Sequence, residues 1–261
     1  MSEAQRHLSE VMGRTAPRYD RVGPPFFTNV ADRLLERVRV PPAADVLDVA
    51  TGPGVMLSRL AHVHGRLVGI DLSRAMIEEA RIRLAQTVEL YEMDAEALDF
   101  SDDSFDFVMC SVALQQLPHP ERAVAEFYRV LRPGGAAASA VFGQTDARWH
   151  AKDVLLRRLV PPLPRVGKAL DAPTLDRLFA DAGFVAVRTD ADHLDIVFPD
   201  EHSWLETAWS HGERRALEAM DERAYATFSA ELPDALRPAR ERDGLTHWRP
   251  EVIFIVGAKP A

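Results

Sequence analysis

Three carboxylates stand where apolar runs give way to turns, and their spacing is the most chemically suggestive feature of the chain. Asp48 lies inside VLDVATGPG, Asp71 closes the run in VGIDLS 17 residues after Gly54, and Asp94 closes the run in YEMDAEAL. A glycine turn after a strand commonly cradles phosphate, and an acid beside one is out of place there, because it repels a pyrophosphate unless a cation intervenes. The dinucleotide fingerprint also needs a third glycine for close helix–sheet packing. Here Gly52-Pro53-Gly54 is followed by Val55-Met56-Leu57, so leucine stands in that place, and no P-loop lysine follows. A carboxylate in this position instead attracts a cation. Asp71 is placed to accept hydrogen bonds from both hydroxyls of a ribose, as its counterpart does in dinucleotide folds. Asp94, or the backbone of Asp94-Ala95, is placed to read an adenine amino edge. Each acid alone is also explained as a turn residue or helix cap. The set describes one ligand: a nucleoside with a positive, phosphate-free tail.

S-adenosylmethionine has that character, with an ammonium, a sulfonium and no phosphate. VLDVATGPG, VGIDLS, MDAEAL, FDFVMCSVALQQLPHP and RVLRPGG follow in order. In that series the chain resembles the class I S-adenosylmethionine-dependent methyltransferases, and within them the small-molecule branch that includes the quinone-biosynthesis enzymes. The resemblance covers about residues 45–142 and extends more weakly through LDRLFADAGFVAVRT. It implies that Asp48, Ala50, Gly52 and Gly54 line the methionine end of the cofactor, with Thr51 in the same turn. It implies that Asp71 holds the ribose, Leu72 and Met76 flank the adenine, and Asp94 and Ala95 bind its edge. Cys110 and Ser111 would face the cofactor's centre. Tyr19, in a YD pair similar to the family's lead-in segment, and Gln116, beside Gln115 after the fourth strand, complete the implied set.

The elements that must position these residues are legible as an alternation. Strands are predicted at Val46–Val49, Leu67–Ile70, Val88–Met93, Phe105–Cys110, Ala136–Phe142 and Phe184–Arg188, with a last strand in 251–258. Helices are predicted at Ala31–Val38, Val55–Ala61, Arg74–Leu84, Glu121–Leu131 and Thr174–Ala182, the last closed by Gly183. The expectation is an α/β fold of Rossmann-like type: a mostly parallel seven-stranded sheet, helices on both faces, and a helical cap. Right-handed crossovers align the strand C-termini along one edge, where ligands bind. The chain reads as a single domain, with lead-in helices in 1–40, a cofactor-binding core in 41–142 and helical insertions at 145–170 and 200–245. The insertions are read as a cap over the ligand edge, or else as ordinary peripheral packing helices. Trp149, Trp204, Trp209 and Trp248, with Tyr19, Phe26 and Phe27, supply either aromatic walls for a planar or apolar acceptor or the packing of those helices.

The chemistry expected is methyl transfer to a small organic acceptor by direct displacement, with oxygen, nitrogen and carbon acceptors all open. A neutral hydroxyl or amine acceptor must also lose a proton. His119, in LPHP on the ligand edge, is the candidate base, with a plain turn role as its alternative; His150, His202, His211 and His247 fall in the insertions. His62 and His64 are read as helix-end residues and His7 as part of a mobile terminus. No metal is expected: seven acids lie between Glu92 and Asp106, yet Asp102, Asp103 and Asp106 read as a solvated turn, and no cage spacing appears. The 261 residues suffice for a sizeable core. The net charge of −9 disfavours nucleic acid. The single cysteine, Cys110, excludes an intrachain disulfide and suits the reducing cytoplasm. No apolar run approaches the roughly 20 residues a bilayer span needs. Monomer and homodimer are equally open. Three rival readings keep their place: the same cofactor used for a non-methylating reaction such as cyclisation, a nicotinamide-dependent oxidoreductase, and a non-catalytic cofactor sensor.

Overall fold

The computed structural model describes residues 3–60, 62–63, 65–163 and 167–261. In chain order the helices and strands are α1 (Glu3–Thr15), α2 (Phe26–Arg37), β1 (Val46–Val49), β2 (Leu67–Asp71), α3 (Arg74–Arg83), β3 (Glu89–Glu92), β4 (Phe105–Ser111), α4 (Pro120–Val130), β5 (Leu131–Phe142), α5 (His150–Leu159), α6 (Ala172–Asp181), β6 (Val185–His193), β7 (Ile196–Phe198), α7 (Glu201–Trp209), α8 (Arg214–Glu218), α9 (Glu222–Leu236), β8 (Thr246–Trp248) and β9 (Glu251–Ala258). They fall into two compact units. One is built from Phe27–Gly143, Val166–Asp192 and Val252–Ala261; the other comprises the described residues of Met1–Phe26, Gln144–Arg165 and His193–Glu251.

The first unit holds the seven-stranded sheet, ordered β3-β2-β1-β4-β5-β9-β6. Strands β3, β2, β1, β4 and β5 pair in parallel, and β9 joins β5 antiparallel. Every residue of β1 is buried, as a central strand covered on both faces requires. Strand order reverses between β1 and β4, so their C-terminal ends form the crevice where such sheets bind ligands. Leu47, Val49, Ile70, Val108, Phe127 and Phe179 are among the fully buried side chains of its core. Local signals start and stop its helices. Pro120 opens α4 at a position whose N–H has no helical partner anyway. The Asp171 carboxylate accepts the Thr174 N–H at 3.0 Å to cap α6. Gly183, at φ 102°, closes α6 in the expected left-handed conformation.

The second unit packs α5, α7, α8 and α9 with a two-stranded antiparallel sheet, β7-β8. Its centre is aromatic. The Trp149 ring lies 6.0 Å from those of Trp204 and Phe198 and 6.1 Å from that of Trp248, and Phe26 stacks on Trp248 at 5.3 Å. Trp149 and Trp204 are therefore core packing of this unit, the second of the two roles open to them.

Several elements differ from the sequence expectation. The run predicted as a helix over Val55–Ala61 forms only a 3-10 turn, Leu57–Leu60, and Ala61 lies outside the described residues. Strand β5 begins at Leu131, directly after α4, so Pro133-Gly134-Gly135 lies within a strand with a register shift and does not precede it. The N-terminal segment is helical, which places His7 on α1 and not in a mobile end. β6 runs on to His193, and the β7-β8 pair went unforeseen because its two short strands are joined only by a long-range pairing. His62 is exposed in a turn and not at a helix end; His64 lies outside the described residues.

Candidate active site

The turn after β1 spends its amides internally. The Thr51 N–H donates to the Ile70 carbonyl at 2.8 Å, the Gly54 N–H to the Thr51 carbonyl at 2.9 Å, and the Gly52 N–H to the Asp71 carboxylate at 2.9 Å. A phosphate cradle needs such donors to point at the ligand, and needs a helix N-terminus behind them. Neither is present, since only the short 3-10 turn follows. The backbone is nevertheless shaped for close approach. Gly52 has φ 54° and a Cβ there would meet nothing within 4 Å, whereas at Gly54, φ 85°, it would lie 2.5 Å from Leu84 Cδ1. The first glycine leaves room above the turn, and the second lets the turn close against the Leu84 side chain.

The three strand ends form one hydrogen-bonded assembly. Asp71 Oδ2 takes the Gly52 N–H and Asp71 Oδ1 takes the Ser73 N–H at 2.8 Å, so one carboxylate joins the β1 and β2 turns. The Asp71 carbonyl accepts the Met93 N–H at 3.0 Å, joining the end of β2 to that of β3. Asp94 Oδ1 accepts the Glu96 N–H at 2.9 Å, which fixes the β3 turn. Asp48 lies below, 1% exposed, and Thr51 Oγ1 donates to its Oδ2 at 2.6 Å.

No arginine, lysine or histidine pairs with Asp48 or Asp71 among the described residues, and the electrostatics show it. Burial pushes the Asp48 carboxyl up to about 7; the Thr51 hydroxyl opposes this and the neighbouring Asp71 adds to it. Burial likewise raises Asp71 to about 6 against the pull of the Ser73 and Gly52 amides. The Cys110 thiol, fully buried, is pushed up to about 12, first by desolvation and then by Asp48, so it remains a neutral thiol. A site with one buried and one half-buried acid and no paired cation among the described residues fits a cationic ligand.

The remaining expected residues divide. Ala50, at φ 56°, carries the strained step out of β1, and Val112, also at φ 56°, carries the equivalent step out of β4 beside Ser111. Positive φ is costly for alanine and more so for a β-branched valine, and such strain concentrates at functional sites. Both Gln115 Nε2 and Gln116 Nε2 donate to the Val112 carbonyl at 3.3 Å. Met76 and Ala95 are buried beneath the turns, and Leu72 is half-buried. His119 is exposed at the N-terminus of α4; its N–H donates to Glu96 Oε1 at 2.8 Å and its Nδ1 lies 3.4 Å from Glu121 Oε1. Through Glu96 it is linked to the β3 turn. Tyr19 belongs to the helical unit, where its ring lies 5.2 Å from that of His211. The structure thus joins Asp48, Thr51, Gly52, Asp71 and Asp94 in one assembly and places Tyr19 in the other unit.

Sequence reasoning placed Ala50 in the site but missed its strain, and missed Val112 altogether; only glycine or asparagine would have signalled either conformation. It also left the insertion histidines equivalent. His150 and His202 are exposed. His247 has Asp195 on Nδ1 at 2.9 Å and Asp243 on Nε2 at 3.1 Å, so both ring nitrogens are engaged, and its pKa is raised chiefly by the Asp195 bond. His211 is buried, with Nδ1 2.8 Å from the Thr207 carbonyl. Asp102 and Asp103 are exposed turn residues, as expected, and pair with Arg129 and Lys259, whereas Asp106 is half-buried in β4 and pairs with Arg132. No cluster able to hold a metal occurs among the described residues.

Fold and site together define a Rossmann-like sheet whose crevice takes a nucleoside with a cationic tail. Comparison with known proteins agrees. The methyltransferase domain family matches residues 47–139. Nocamycin O-methyltransferase of Saccharothrix syringae is 30% identical over 247 residues, covering 85% of this chain and 88% of that one. Demethylmenaquinone methyltransferase of Clavibacter sepedonicus is 31% identical over 192 residues, covering 68% and 71%. Among solved structures, the Haloferax volcanii chain determined with the Trm112 methyltransferase activator superposes with a TM-score of 0.64 at 21% identity, covering 99% and 98%. The chain belongs to the class I S-adenosylmethionine-dependent methyltransferases and resembles their quinone-biosynthesis members. No helix among the described residues is long and apolar enough to cross a membrane.

Proposed function

We propose that this enzyme methylates a hydroxyl group of a small, planar or apolar organic molecule. The observation that carries the cofactor assignment is the β1 turn, whose amides are satisfied internally while two uncompensated carboxyls remain beneath it. That arrangement disfavours a nicotinamide dinucleotide, whose pyrophosphate would meet acids where the Thr51, Gly52 and Gly54 amides are already spent. The preference for oxygen rests on the relative matched over 85% of the chain, an O-methyltransferase by name.

In this reading Asp71 holds the ribose hydroxyls in addition to its two amides. Asp94 and Ala95 meet the adenine edge, Leu72 and Met76 flank the ring, and Ala50, Gly52 and Gly54 admit the methionine end. Bound S-adenosylmethionine supplies a methyl on a good leaving group. The chain's own task is alignment and exclusion of water, and well-oriented reactants gain effective molarities on the order of 10⁵–10⁸ M. A phenolic hydroxyl, with a pKa of about 10, must still shed its proton. His119, tied through Glu96 to the β3 turn, is assigned that role at the sheet's ligand edge. The cytoplasm is assigned as the enzyme's place of action, where its single thiol stays reduced.

An acceptor screen tests the reading. Phenols, enols, carboxylic acids and amines are incubated with the enzyme and S-adenosylmethionine, and S-adenosylhomocysteine release is followed. The proposal expects equimolar release and methyl ether formation from hydroxyl compounds. Turnover of an acceptor without S-adenosylhomocysteine would establish a non-methylating use of the cofactor instead.

A further inference from the structure

The side chains around Asp48 hold a charge problem that a cationic cofactor solves. Asp48 comes from β1, and each neighbouring element presents it with an acid or a neutral group: Asp71 from the end of β2, the Cys110 thiol from β4 and the Thr51 hydroxyl from the turn above it. Asp71 in turn meets only the Gly52 and Ser73 amides. Asp48, out of water, without a cation and facing a second, half-buried carboxyl, does not ionise readily, so its protonated form is the cheaper state.

We propose that Asp48 makes this site distinguish the methyl donor from its demethylated product, giving up a proton when the cationic sulfonium cofactor binds and recovering one when the thioether is left. The exchange balances: the carboxylic O–H of Asp48 breaks, its proton goes to solvent, and the sulfonium charge takes the proton's place beside the carboxylate. After transfer the sulfur is neutral, the sulfonium's share of the counter-charge is gone, and reprotonation from solvent weakens the electrostatic hold on S-adenosylhomocysteine. Both compounds carry the same ammonium, so the difference between them reports on the sulfonium alone. Burial pushes the Asp48 carboxyl up to about 7, which places the effect in a working range. The inference rests on the cofactor assignment above and adds to it a reason for product release.

Calorimetric titration in two buffers of different ionisation enthalpy counts the protons exchanged. At pH 6.5, S-adenosylmethionine is expected to release close to one proton per site and S-adenosylhomocysteine well under half of one. Between pH 7.0 and 5.5 affinity for the former is expected to fall about tenfold or more, with little change for the latter. Asp48→Asn is expected to abolish proton release and to bring the two affinities together. Thr51→Val, which removes the hydroxyl favouring the ionised form, is expected to move the midpoint of the wild-type pH profile upward, and tests the idea even if the Asn variant does not fold. Saturable binding of S-adenosylmethionine without proton release, or equal pH dependence for both compounds, overturns the inference and leaves the enzyme class standing. Failure of S-adenosylmethionine to bind at any pH would instead overturn the cofactor assignment itself.

Discussion

Asp48→Asn is expected to stabilise the empty protein at neutral and alkaline pH while impairing its function. The Asp48 carboxyl is pushed from the ordinary carboxylate range to about 7 by burial. In the unfolded chain it returns to about 3.9. Between those values the folded protein keeps a proton that the unfolded chain releases. Stability therefore falls as pH rises through this window, and the loss is complete above the folded value. At about 1.36 kcal/mol per unit, a shift of about three units amounts to an upper bound of ~4 kcal/mol. Asparagine keeps the shape and can still accept from Thr51, but its buried amide donors need partners, at a cost of about 1–3 kcal/mol. The net offset at one pH is thus small, and the pH dependence is the discriminating quantity. Urea unfolding of both proteins without cofactor, at half-unit steps from pH 5 to 8, measures it. The difference should move in the variant's favour by about 1.4 kcal/mol per pH unit between 5 and 7 and level off above. A difference that stays constant across the whole range would refute the claim that a buried, unpaired Asp48 carries this penalty.

Other substitutions probe the same assembly. Asp71→Ala removes a charged acceptor that joins two turns and, in the proposed role, holds two ribose hydroxyls. At about 1.5–3 kcal/mol for each charged hydrogen bond, calorimetric affinity for S-adenosylmethionine should drop by at least about a hundredfold in a protein that circular dichroism shows to be folded. Gly54→Ala forces a side chain into φ 85° and to within 2.5 Å of Leu84 Cδ1; a loss of about 1–3 kcal/mol in urea unfolding is expected, with weakened cofactor binding. His119→Ala should leave cofactor affinity unchanged and lower kcat on a hydroxyl acceptor by about 10²–10⁴ if the histidine takes the proton, whereas a plain turn role predicts kcat within a few-fold of the parent.

What the sequence made legible was the part encoded locally. The strand rhythm and the three strand-end acids are visible because short apolar runs, glycine turns and acids write themselves into short stretches, and the order of five motifs made the family recognisable. The assembly's working detail is written across the chain instead. That Asp71 would spend both oxygens on Gly52 and Ser73, and that Thr51 would turn its hydroxyl to Asp48, depends on the pairing of β1 with β2. The left-handed steps at Ala50 and Val112 oppose the local preferences of those residues and are imposed by the strands they leave. The shortening of the expected helix to Leu57–Leu60 follows from a turn that tucks Gly54 against Leu84, 30 residues away in sequence. The tryptophans show the opposite failing. Their composition was visible, but only packing reveals that Trp149 and Trp204 form the core of the helical unit.

The central claim is that the turns after β1, β2 and β3 together form one cofactor site. Hydrogen exchange of the intact chain with and without S-adenosylmethionine tests it most directly. Peptides covering Thr51–Gly54, Asp71–Ser73 and Asp94–Ala97 are expected to gain protection together, at cofactor concentrations that saturate calorimetric binding. Saturable binding with protection confined elsewhere, or at only one of the three turns, would contradict it.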